Sequence, residues 1–213
     1  MRHLRPICLL LGCLALPAAA ADLSLDAILS PVSGCALGSA TVTVRMFNVG
    51  PTLPAGSRFD VFYAVSLGTP VTEGVVLGSP LLQNGAMIYS FTTPANLSLP
   101  GNCVFDAGVN LPADVNPSNN AATGHAVAND APSVGGSVTG PPAPTLAGTL
   151  HLAGYTGEVL QWEESPDGQR WFALANACAT QAFSGLRATT QFRARVRSGS
   201  CAEAVSGSVT VTP

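Results

Sequence analysis

Apolar and polar residues alternate along most of this chain in short runs, and glycine and proline cut the runs apart. In Ala40-Thr-Val-Thr-Val-Arg-Met-Phe47, Thr41, Thr43 and Arg45 fall on one face and Val42, Val44 and Met46 on the other. A period of two is the mark of a strand with one buried face. Residues 22–29, 40–47, 59–65, 71–77, 86–91, 103–109 and 121–127 share this grammar. Asn48-Val-Gly-Pro51 and Asn84-Gly85 supply turns between them, the second a strong tight-turn signal. Seven short strands at this spacing predict a β-sandwich.

The pattern then repeats. Residues 135–140, 149–152, 159–164, 171–174, 180–183, 189–197 and 205–211 read as a second set of seven strands. Val159-Leu-Gln-Trp-Glu-Glu164, Ser165-Pro-Asp-Gly168 and the return through Trp171 read as strand, turn and strand. Leu160 and Trp162 are expected on one face of the third strand, Gln161 and Glu163 on the other. The sixth strand sets Phe192, Ala194 and Val196 against Arg193, Arg195 and Arg197. If the third and sixth strands pair, Trp162 packs inward on Phe192 and Val196. The expectation is an all-β chain of two tandem immunoglobulin-like β-sandwich domains, 22–127 and 133–213, joined by the short linker 128–132.

The N-terminus departs from the alternation. Met1 to Arg5 is basic, Ile7 to Leu16 is apolar, Pro17 breaks the run, and Ala18 to Ala21 are small. This is the layout of a cleaved signal peptide over residues 1–21, cut near Ala20 or Ala21. The apolar run is well short of the ~20 residues a membrane-spanning helix needs. A rival reading takes Leu10-Leu-Gly-Cys13 as a lipoprotein cleavage site, which would anchor the chain to an envelope through Cys13. The chain is 47% hydrophobic and 10% charged, which excludes charge-driven disorder. All nine basic residues are arginine. Without Arg2 and Arg5, seven arginines face twelve acids, and an acidic chain argues against nucleic acid as a partner.

Loss of the signal also removes Cys8 and Cys13 and leaves Cys35, Cys103, Cys178 and Cys201. An even count in an exported chain predicts two disulfides. Cys35 and Cys103 fall at one end of the first sandwich, Cys178 and Cys201 at one end of the second, so one bridge within each domain is expected. These would contribute roughly 4 and roughly 3 kcal/mol through the unfolded state.

The Asp22-Leu opening, the Val42–Gly50 core Val-Thr-Val-Arg-Met-Phe-Asn-Val-Gly and Asp114-Val-Asn-Pro-Ser-Asn-Asn120 resemble the CARDB-type bacterial cell-adhesion-related domain. The Ser30–Cys35 segment is similar to one in related repeats of large bacterial surface proteins. Gly154 to Gly168, with residues 189–197 and Cys201, resembles immunoglobulin-like repeats of bacterial surface and adhesion proteins. The resemblance implies extracellular modules with no catalytic residues to carry over.

Catalytic signatures are not found. His125 and His151 sit in separate domains, and there is no Gly-x-Ser-x-Gly elbow or phosphate loop. No cofactor is expected. Asp114, Asn116, Asn119 and Asn120 suggest either a calcium loop or, preferred here, turn residues bonding their own backbone. Arg193, Arg195 and Arg197 offer an anionic-surface contact, against which stands cross-strand pairing with Glu163 and Gln161. Trp171 and Tyr155, with Phe172, offer a sugar platform, against which stands burial of Trp171 on the hairpin. The function expected is a secreted or surface-associated, non-enzymatic adhesion or scaffold pair with a protein or cell-surface partner. A polysaccharide-binding accessory protein is the second reading, and a lipid-anchored envelope protein the third.

Overall fold

Two hydrophobic cores, each closed between two sheets, account for the buried apolar residues of the computed structural model, which describes residues 20–213. Most of the expected signal segment, with Cys8 and Cys13, lies outside the described residues. In the first half β1 (Leu23–Ser30), β2 (Gly34–Cys35), β3 (Gly38–Ala40), β4 (Thr43–Asn48), β5 (Arg58–Val65), β6 (Val71–Val76), β7 (Ala86–Ser90), β8 (Ala95–Leu97), β9 (Gly101–Asn110) and β10 (Ala121–Asp130) follow in order. One sheet has the order β1-β4-β7, the other β2-β10-β9-β5-β6, and β3 pairs with β8 beside them. The alternation places Val42, Val44 and Met46 wholly inside, with Leu23 beside them on β1 and Val61, Phe105 and Val127 on the opposite sheet. The short β2, β3 and β8 are additions that period-two counting misses, because two or three residues show no period.

The free edges β6 and β7 are fastened to each other by one carboxylate. Glu73 accepts hydrogen bonds from the Tyr89 hydroxyl (2.6 Å), the Thr92 amide and hydroxyl (3.1 and 2.8 Å) and the Thr93 amide (2.8 Å). Burial alone would raise the Glu73 pKa, but these bonds outweigh it and hold the group at about 2. Burial, and then the bond to Glu73, push Tyr89 up to about 12. A carboxyl whose folded pKa is depressed adds stability that is complete above its ordinary value, 4.5, and is lost as pH falls toward about 2. The melting temperature of the first domain is therefore expected to fall between pH 4.5 and 2, and Glu73→Gln to flatten that part of the curve. An identical pH profile in the variant would contradict the latch.

The second half comprises β11 (Ser137–Thr139), β12 (Ala147–Ala153), β13 (Glu158–Ser165), β14 (Phe172–Leu174), β15 (Thr180–Ser184), β16 (Thr190–Arg197), β17 (Ala204–Val205) and β18 (Val209–Val211). The sheets are β11-β12-β15 and β14-β13-β16-β17, with β18 also on β16. β13 and β16 pair as expected, and Trp162, Phe192 and Val196 share one core. One detail differs. A bulge between Val159 and Gln161 inserts Leu160 as an extra residue, so Val159 and not Leu160 shares the inner face with Trp162. The single strand expected over 205–211 is two pieces. The break falls at Ser206, whose hydroxyl accepts the Ala194 amide (2.8 Å) and whose amide bonds back to the Ala194 carbonyl (2.9 Å).

The expected linker over 128–132 is largely strand, since β10 runs on through Asp130. Extra pairing explains the extension. Asn129 and Asp130 lie beside Gly34 and Cys35 of the parallel β2, and the Asp130 carbonyl accepts the Ala36 amide (3.0 Å).

Candidate functional site

The extended β10 brings the two halves together at a covalent junction. Cys35 is bonded to Cys201, with Cα atoms 4.9 Å apart and 166 positions between them in sequence. Cys103 and Cys178 are free thiols. The two bridges expected within the domains are thus replaced by one bridge between them. Strand order explains the first correction. β2 and β9 flank β10 on opposite sides, which sets them about 10 Å apart. Cys35 stands opposite Asp130 and Cys103 opposite Val127, adding three residues of offset. A disulfide needs Cα atoms within about 7 Å, so these two cannot meet. For the second correction, Cys178 stays exposed in the loop before β15 while Cys201 is buried against the first domain.

Hydrogen bonds surround the bridge. Asp130 accepts the amide and the hydroxyl of Ser200, both at 2.8 Å. The Ser200 amide, then its hydroxyl, hold the Asp130 carboxyl below its ordinary range. Gly199 has φ +47°, and a Cβ there would collide with the Asp130 carboxylate. Glycine is thus demanded twice at this turn, by backbone angle and by space. The Ser198 amide donates to Ser133 Oγ (2.9 Å), and Asn129 Oδ1 accepts the Leu37 amide (2.8 Å). Sequence reading missed Asp130, Gly199 and Ser200 because nothing local marks residues whose partners lie 70 positions away.

The arginines have partners. Glu163, buried on the outer face of β13, accepts Arg193 Nε at 2.6 Å, with Arg195 Nη1 at 3.6 Å. Gln161 Nε2 donates to the same carboxylate (3.1 Å), and Arg195 also reaches Glu203. Cross-strand pairing is therefore the arrangement found for Arg193 and Arg195. Arg197 is exposed and stands opposite Glu158. The aromatic platform is not assembled. Arg193 lies over the Trp171 ring, 3.8 Å from its centroid, so one ring face is already covered. Tyr155 precedes β13 and packs on the second core, while Trp171, just before β14, is level with the other end of that strand. At about 3.3 Å per residue the length of β13 separates them by roughly 20 Å. Phe172 is 54% exposed without either as a neighbour in register.

The 114–120 loop acts as a turn and a fastener. Asp114 Oδ1 accepts the Asn116 amide (2.9 Å) and Oδ2 the Leu23 amide (3.0 Å). Asn119 Nδ2 donates to Asp22 Oδ1 (2.8 Å), and the Asn116 side chain accepts the Ser118 hydroxyl (2.6 Å). The loop therefore ties down the start of β1. No group of three or more His, Cys, Asp or Glu side chains able to hold a metal occurs among the described residues.

A family model described as a domain of unknown function, DUF8696, matches residues 142–213. No curated protein matches the chain. Similar solved structures include the CARDB domain of a protein from Pyrococcus furiosus, in a crystal structure described as a complex with di-metal ions. It is 19% identical, with 52% of this chain and 89% of that chain covered and a TM-score of 0.34. A solution structure of the same domain is 21% identical, with 51% and 94% covered and a TM-score of 0.33. A tetra-tandem repeat from the extending region of a large adhesion protein is 13% identical, with 92% of this chain and 50% of that chain covered and a TM-score of 0.36.

Proposed function

We propose that the protein is an exported, non-enzymatic adhesion or scaffold element whose two sandwiches work as one stiff unit. The observation that carries this reading is the Cys35–Cys201 bond across the junction. A bond closing so long a loop contributes about 5 kcal/mol through the unfolded state, and it also fixes how the domains meet. A catalyst gains little from such a lock, whereas an element that must hold two surfaces at a set distance gains directly. The bond also supports an oxidising compartment, outside the cell or on its surface. No helix among the described residues is long and apolar enough to cross a membrane. The partner in this reading is a protein or another component of a cell surface.

The test is adhesion under load. Beads coated with oxidised residues 22–213 are expected to stay on a layer of cells under flow. Beads carrying the Cys35→Ser/Cys201→Ser variant are expected to detach at lower shear. Detachment of the oxidised protein at the shear that removes bare beads, on every cell surface tried, would end the adhesion reading.

A further inference from the structure

The outer face of the five-stranded sheet in the first domain carries a trough whose polar groups are unengaged. Its two lobes, about 310 and 460 Å³, share Asp60 and Asn110 and so run together. Strand register gives its layout. Thr72, Phe62, Gly108 and Ala121 line up across β6, β5, β9 and β10, and Gly74, Asp60 and Asn110 form the next row. Small residues thus surround one aromatic ring. A Cβ on Gly108 would run into that ring, so the phenyl group of Phe62 lies directly over the glycine. Phe62 is partly buried there and keeps some apolar surface open to solvent.

Arg58, Asp60, Thr72 and Asn110 are exposed along the same trough. None of their side chains makes a hydrogen bond or salt bridge to the described residues. Elsewhere several such groups are engaged, Arg45 with Asp26, Arg193 with Glu163, Arg195 with Glu203 and Asp106 with the Gly124 amide, while Arg170, Arg187 and Arg197 are open like Arg58. The trough pairs one cation with one anion, so it favours no ligand charge. Beneath Phe62, Asp60 and Asn110 the floor strands β5 and β9 are paired on both sides, so an incoming peptide cannot add over them as a strand; β6, at the rim, keeps a free edge. Over β5 and β9 recognition comes from side chains: an aromatic surface bordered by a carboxylate, an amide, a guanidinium and a hydroxyl. That set suits the apolar face and vicinal hydroxyls of a pyranose ring.

We infer that the trough around Phe62, Asp60 and Asn110 binds a neutral polysaccharide. This deepens the adhesion reading and rests on it, by naming the chemistry of the surface held. The test is sedimentation of oxidised residues 22–213 with insoluble cellulose, chitin, mannan and curdlan, and retardation by alginate as the anionic control. Saturable binding to at least one neutral polysaccharide is expected. Phe62→Ala and Asn110→Ala should each weaken it about tenfold, equivalent to about 1.4 kcal/mol. Trp171→Ala should leave it unchanged. Melting temperatures report folding, and Phe62→Leu, which fills the space over Gly108 without an aromatic face, decides the case if Phe62→Ala does not fold. Binding to none of the neutral polymers, binding to alginate alone, or full binding by folded Phe62→Leu and Asn110→Ala would each overturn the inference. Beads that still hold cells under flow in that event would leave the adhesion reading standing.

Discussion

Pulled from its two ends in a force spectrometer, the oxidised protein is expected to yield about 95 Å of chain, and the reduced protein about 670 Å. The difference follows from where the bond sits. Tension applied at Asp22 and Pro213 enters along residues 22–35, crosses from Cys35 to Cys201, and leaves along residues 201–213. Everything between the two cysteines is bypassed. About 27 residues remain extensible, at about 3.5 Å each, against about 192 when the bond is open. β1, β17 and β18 can be peeled, while β4 to β10 and β11 to β16 bear no load. Cys35→Ser/Cys201→Ser should behave as the reduced protein does, and Cys103→Ala/Cys178→Ala as the oxidised wild type does. Equal extension with and without reductant would contradict the path.

Trp162→Ala is expected to cost about 4 kcal/mol, which is comparable with the whole stability of a domain of this size. Trp162 has no exposed surface and is among the largest fully buried side chains. It sits opposite Ala194 on β16, within one core with Phe192 and Val196. Its indole Nε1 donates to the Cys178 carbonyl at 2.8 Å, which ties the loop before β15 to the centre of the other sheet. Alanine would leave a cavity and an unpartnered carbonyl together. Trp162→Phe keeps most of the volume and loses the hydrogen bond, so about 1.5 kcal/mol is expected. Urea titration followed by circular dichroism should show the second domain melting early in Trp162→Ala while the first keeps its transition. An unchanged midpoint would place the tryptophan outside the core.

The sandwich plan was legible because half-buried strands write their burial into the sequence as a period of two. Val42, Val44 and Met46 against Thr43 and Arg45, and Phe192, Ala194 and Val196 against Arg193 and Arg195, are inside and outside as their order implies. The cross-strand partners of the arginines were legible for the same reason. Leu160 was misplaced because a bulge shifts the period by one and leaves no composition signal. The linker was misplaced because β10 gains its last residues from β2, a strand of two residues. The disulfide was the largest loss. Four cysteines allow three pairings, and near neighbours in sequence suggest bridges within domains. The pairing found depends on which side of β10 the chain places Cys35, a tertiary fact with no local mark. The trough around Phe62 was equally hidden, since only the register shows Gly108 beneath the ring and Gly74 beside Asp60.

The bond between the domains bears most directly on the whole account, and peptide mapping without reductant reads it. Residues 22–213, alkylated while oxidised and then digested, should give one cross-linked pair containing Cys35 and Cys201, with Cys103 and Cys178 both alkylated. Cross-linked pairs joining Cys35 to Cys103 and Cys178 to Cys201 would return the protein to two separately stapled domains and remove the basis for a stiff unit.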